Sequence, residues 1–168
     1  TKSGQRLVSS HGNSPMGHSF AGAIGACFAD VKGQVICLIG DGGFNMNIQE
    51  LQTVKNYGLP IKTFIMNNHV YGITKAFEQT NFGGRYEAAG PKGYSPPDFM
   101  KICSAYGIAI ETIQDHSELK SKIKAVLDHD GPIVCDVDMD EQYVYEPRIF
   151  GWNTPIEDLY PYIPREEF

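Results

Sequence analysis

No apolar run in this 168-residue chain approaches the roughly 20 residues that a membrane-spanning helix needs. Positive charge is also scarce. The formal net charge is −6, which argues against a broad basic surface for nucleic acid or acidic lipid. Cysteine is sparse, with only Cys27, Cys37, Cys103 and Cys135, and no Cys-x-x-Cys among them. That spacing speaks against a disulfide framework or a zinc site, and for core thiols in a reducing, cytoplasmic setting. Neither Gly-x-Gly-x-x-Gly nor a P-loop Lys-Ser/Thr is present, so a generic nucleotide-binding domain is disfavoured. Internal repeats, low-complexity segments, a secretory leader and an initiator Met are all missing. The opening "TKSGQRLV" runs almost at once into an apolar helix pattern, so a piece of a longer polypeptide is expected.

What is present fits one α/β domain over 1–168. Hydrophobic residues make up 42% and charged residues 20%, enough to bury a sizeable core. Four short runs rich in Ile, Val and Phe read as strands covered on both faces: 34–39, 61–66, 108–113 and 132–138. Between them lie helical stretches. Residues 17–30 are small and apolar all round, predicting a buried helix. Residues 47–58 carry Ile48, Leu51, Val54 and Lys55 near one face, with Gly58 as stop. Residues 96–107 begin at Pro and end at Gly. Residues 116–131 offer Ser117 as cap and Leu119, Ile123, Val126 and Leu127 as a buried stripe. This alternation predicts a three-layer α/β/α domain with a mainly parallel sheet. Residues 78–97 read as a loop, and the aromatic, Pro-rich tail 143–168 as a segment wrapping over the surface.

The chemistry concentrates where strands end. In open parallel sheets, ligands sit beyond the carboxyl ends of strands. Asp41 directly follows the first strand, and Asn67 and Asn68 follow the second. If these strands are neighbours, a carboxylate and an amide oxygen converge, a set suited to Mg²⁺. Gly42 and Gly43 lack Cβ and let backbone amides approach a phosphate. A helix starting near Asn45 would aim its N-terminus at the same place. Gly-Asp-Gly by itself is a common turn. Here 24 residues, 43 to 66, separate Gly42 from Asn67, enough for a helix and a return strand.

Gly-Asp-Gly followed about two dozen residues later by Asn-Asn resembles the signature of thiamine-diphosphate enzymes, in the domain that holds the diphosphate. The resemblance implies Mg²⁺ ligation by Asp41, Asn68 and the Val70 carbonyl, with Asn67 shaping the turn. It implies diphosphate contacts around Gly40, Gly42, Gly43, Gly72 and Ile73. Upstream, "VSSHGNSPMGHSFAGAIGA" is similar to the family's other cofactor stretch. Met16 matches the apolar wedge that props thiamine into its bent shape, or it is core filler. The Ser14 carbonyl stands where relatives, many of them with Gly, meet the 4′-amino group. His11 and His18 flank this stretch, as contacts to diphosphate or substrate or as surface residues.

"NNHVYGITKAFEQTNFGGRY" and the closing "PIEDLYPYIPREEF" are similar to acetolactate synthase catalytic subunits. Thr74 stands where simple pyruvate decarboxylases carry a catalytic Glu, and Phe77 where acetolactate synthases carry a Trp. The resemblance implies decarboxylation of a small-molecule 2-oxo acid and ligation of the product to an acceptor. It implies a homo-oligomer, dimer or tetramer, since the activating Glu belongs to the pyrimidine-binding domain of a partner chain. No residue here is assigned that role; Glu50 reads as a solvated helix residue. The chain by itself is therefore expected to be inactive. FAD in the parent chain would not be bound by this segment. The alternatives are one subunit of a split 2-oxo acid decarboxylase and a cofactor-binding module that is inactive without its partner. Two features stay open: "DVDMDE" (136–141) as a solvated strand edge or metal cluster, and Tyr71, Tyr86 and Tyr94 as cleft-lining or partner-facing aromatics.

Overall fold

The computed structural model describes residues 2–10, 12–29, 33–141, 155 and 158–167. In chain order the elements are α1 (His18–Phe28), β1 (Val35–Gly40), α2 (Asp41–Met46), a 3₁₀ turn (Ile48–Glu50), α3 (Leu51–Tyr57), β2 (Ile61–Asn67), α4 (Gly72–Asn81), α5 (Phe99–Tyr106), β3 (Ala109–Ile113), α6 (Leu119–Asp128), β4 (Ile133–Asp138) and a 3₁₀ turn (Arg165–Glu167). The four strands form one fully parallel sheet in the order β1-β2-β4-β3. All four lie where the Ile/Val/Phe runs predict them.

Helices cover both faces, giving the expected three layers. On one face, Phe20 of α1, Phe44 of α2, Leu51 and Val54 of α3, and Phe99 and Cys103 of α5 pack on Cys37, Ile39, Ile61, Ile65 and Val134. Phe44 is the hub, with its ring edge-on to Phe20 at 5.0 Å and to Phe99 at 5.6 Å. On the other face, Val126 of α6 packs on Phe64, Ile113, Ile133 and Cys135. Lys62, buried in β2, donates from Nζ to the carbonyls of His129 (2.5 Å) and Gly131 (2.6 Å). It thereby supplies the C-terminal end of α6 with a cationic partner. Cys37, Cys103 and Cys135 are buried free thiols, each pushed up to about 12 by burial.

Several expectations are corrected. Helix α1 is not buried all round: only Phe20 and Ala23 are inaccessible, and Phe28 is exposed. Its small residues Ala21, Gly22 and Gly25 face outward. Strand β1 is not covered on both faces either, because Ile36 and Leu38 are exposed while Cys37 and Ile39 are buried. The α6 layer reaches over β2, β4 and β3 but leaves this strip open. Ser117 does not cap α6. The helix follows Glu118, the Ser117 hydroxyl bonds to Asp115, and Ile123 of the expected stripe is exposed. The helix expected over 96–107 starts at Phe99, with Asp98 accepting from the Lys101 amide as its cap. Residues 72–81 are helical rather than partly loop, so the loop begins at Phe82. Glu50 is half-buried in a 3₁₀ turn and accepts from the Thr53 hydroxyl. His11 and most of the tail 143–168 lie outside the described residues.

Candidate functional site

Parallel pairing of β1 with β2 places Gly40 beside Met66. The chain therefore leaves both strands at the same sheet edge, with Asp41 one residue beyond β1's end and Asn68 one beyond β2's. The helix expected near Asn45 begins instead at Asp41 itself. Two glycines disfavour such a start. Burial of Phe44 on the core overrides that preference, because it pulls the whole turn onto the sheet. Asp41 thus occupies the first turn of a helix, where a carboxylate is favoured.

The Asp41 side chain is 2% exposed. One oxygen accepts from the Tyr94 hydroxyl at 3.1 Å. Burial raises its pKa, opposed by the Gly42 amide and the Tyr94 hydroxyl, which favour the charged form. Among the described residues, no cation forms an ion pair with it.

Gly42 has no room for a side chain. A Cβ there would lie 2.3 Å from a Tyr71 ring carbon and 3.1 Å from the Met16 methyl. Met16 and Gly42, which the resemblance assigns to one cofactor, are therefore brought together. The Met16 loop is tied down next to them. Asn47 donates to the Gly17 carbonyl at 3.0 Å, Gly17 takes a left-handed φ of 89°, and a Cβ on Gly43 would lie 3.5 Å from the Gly17 amide. Ser14, also left-handed at φ 42°, is exposed, and its amide and hydroxyl both reach the Ser10 carbonyl.

At the β2 end, Asn67 is a structural anchor. Its amide donates to Asp136 at 3.0 Å, and its oxygen accepts from the His69 amide at 3.3 Å. That arrangement closes a turn in which His69 adopts φ 62°. Asn68 lies against Gly72, where a Cβ would come within 2.9 Å of its amide. Val70 is buried, and Ile73 is exposed. "DVDMDE" is neither a plain solvated edge nor, among the described residues, a metal cluster. Asp136 is half-buried and holds Asn67, and Asp138 pairs with His69 at 2.6 Å. Burial raises the Asp136 pKa, opposed by the Asn67 bond. A cavity of about 280 Å³ opens beside this cluster, lined by Asn67, His69, Thr112, Gln114, Asp136 and Asp138.

Asp136, Tyr71 and Tyr94 carry more of the site than the sequence assigns them. Tyr71 and Tyr94 stack with centroids 4.0 Å apart, whereas Tyr86 bonds to Gln79 away from them. Asp41, Asn68 and Val70, at and just past the two strand ends, carry hard oxygens: a carboxylate, a side-chain amide and a backbone carbonyl. Such a set suits a small divalent cation completed by other oxygens.

Comparison with known proteins gives consistent matches. The family described as "Thiamine pyrophosphate enzyme, C-terminal TPP binding domain" matches residues 1–137. The acetolactate synthase large subunit of Pyropia yezoensis is 37% identical over 142 residues, covering 84% of this chain and 24% of that protein. The Haemophilus influenzae large subunit is 35% identical over 146 residues (86% of this chain, 25% of that protein). The isozyme 2 large subunit of Escherichia coli is 31% identical over 160 residues (95% and 26%). The chain spans about a quarter of the length of these curated relatives.

Proposed function

Given that the chain belongs to the thiamine pyrophosphate enzyme family, in its C-terminal TPP binding domain, we propose that it clamps the diphosphate of thiamine diphosphate through one Mg²⁺. In this reading Asp41, Asn68 and the Val70 carbonyl hold the metal. The amides of Gly42, Gly43, Gly72 and Ile73, together with Gly40 at the end of β1, meet phosphate oxygens. Met16 and the Ser14 carbonyl orient the thiamine rings. The observation that carries the reading is the pairing of β1 with β2, which delivers Asp41 and the Asn67-Asn68 turn to one sheet edge. The fit is supported by the buried Asp41 carboxylate and by the missing space at Gly42, where Met16 and Tyr71 crowd the backbone.

Bound there, thiamine diphosphate supplies an electron sink for decarboxylating a 2-oxo acid and joining the product to an acceptor, as in acetolactate synthases. The residues of this chain bind and orient it. Asp41 neutralises metal charge, the N-terminus of α2 favours the anion, and the exposed Ile73 and Phe77, with half-buried Thr74 between them on α4, are the side chains we assign to substrate contact. A pyrimidine-binding domain of a partner chain completes the site, so this stretch without that domain is inactive. The test is calorimetric titration of thiamine diphosphate with Mg²⁺ into the intact protein. Asp41→Ala and Asn68→Ala should each abolish Mg²⁺-dependent uptake. Cofactor binding that is indifferent to Mg²⁺ and to both variants would overturn the reading.

A further inference from the structure

We propose that Tyr94 is a positioning residue that fixes Asp41 for metal binding; this rests on reading Asp41 as a metal ligand. Four observations lead there. The Tyr94 hydroxyl donates to Asp41 at 3.1 Å, and both residues are buried, Tyr94 to 6% and Asp41 to 2% exposure. The Tyr94 ring stacks on Tyr71 at 4.0 Å with planes 23° apart. Tyr71 in turn fills the space over Gly42. The loop that carries Tyr94 is also pinned five residues earlier, where the Tyr71 amide donates to the carbonyl of Ala89, a fully buried residue.

The consequence follows from hydrogen-bond chemistry. An ionised carboxylate has about four acceptor positions. The phenol takes one, which leaves lone pairs for a cation and restrains the rotation of the group. Partners of this kind around a metal ligand typically change metal affinity by about 10- to 100-fold. The loop over 82–98 is thus more than a connection between α4 and α5: it seats one hydroxyl on the residue that bears the metal's charge.

The experiment measures Mg²⁺ affinity in the presence of thiamine diphosphate by calorimetry, on the intact protein. Tyr94→Phe keeps the ring stack and removes only the hydroxyl. It should weaken Mg²⁺ binding about tenfold, while the thermal midpoint of the metal-free protein falls by no more than about 10 °C, the cost of one lost hydrogen bond to a buried carboxylate. Should Tyr94→Phe fail to fold, Tyr94→Gln and Tyr94→Leu replace it. Both lose the stack, but Gln retains a donor and should bind Mg²⁺ more tightly than Leu. Unchanged affinity in Tyr94→Phe, a lowered midpoint with unchanged affinity, or equal affinities for Gln and Leu would each overturn the proposal. A wild-type protein that takes up no Mg²⁺ with the cofactor sinks the proposed function as well, which separates the two failures.

Discussion

Replacing Phe44 by Ala tests whether the site is held from beneath. Phe44 is fully buried and belongs to α2, the helix that begins with Asp41 and carries Gly42 and Gly43. Its ring meets two others edge-on, Phe20 from α1 and Phe99 from α5. Truncating a buried Phe costs about 3–5 kcal/mol, through lost transfer energy and the cavity left behind. Each edge-to-face pair contributes about 0.5–1.5 kcal/mol of that. Against a total stability of about 5–15 kcal/mol, the loss is large. Phe44→Leu refills most of the volume and forfeits mainly the two aromatic pairs, so it should cost about 1–3 kcal/mol. Urea unfolding followed by circular dichroism gives both values, provided the slope m is unchanged. The same samples titrated with Mg²⁺ and thiamine diphosphate should show Ala binding more weakly than Leu, because α2 is no longer pressed on the sheet. A cost below about 1 kcal/mol for Ala, or Leu as damaging as Ala, would refute the idea that ring packing fixes this helix.

Two further outcomes are expected. Gly42→Ala places a methyl 2.3 Å from Tyr71; overpacking costs about 1–3 kcal/mol and outweighs Ala's better helix propensity, so the melting temperature should fall. A variant as stable as the parent would mean that Tyr71 moves aside freely. For Asp41, burial lifts the folded-state pKa above its unfolded value. Its favourable share is therefore present below the unfolded pKa and lost as pH rises through the folded one. Metal-free Asp41→Asn should thus be more stable than the parent at neutral pH, with the difference shrinking as pH falls towards the carboxylate range. Equal stability at pH 7 would contradict this.

The sheet was legible because its strands are short, β-branched and bounded by Gly, Pro or helix. So was the placement of Asp41 and the Asn pair at strand ends. The start of α2 was not legible, because Gly-Gly argues locally for a turn and only the tertiary burial of Phe44 makes it helical. Helix α4 was not read although Ile73 and Phe77 stand one turn apart; in the fold both are exposed, and Glu78 is the residue the helix buries. Asp136 itself lies 69 residues from Asn67 and meets it only through the β2–β4 register. Tyr94 stands in a Gly-rich stretch without periodicity, so nothing local aims its hydroxyl at Asp41. Lys62 in the middle of a strand reads as a solvent residue, yet its long stem reaches two carbonyls beyond α6.

Strand β1 ends the described sheet with one flank of Ile36 and Leu38 in water. Bare backbone donors and acceptors beside greasy side chains invite a second strand to dock, and natural proteins guard such margins with charge, Pro or a covering segment. At rising concentration this polypeptide would therefore tend to self-associate along that margin.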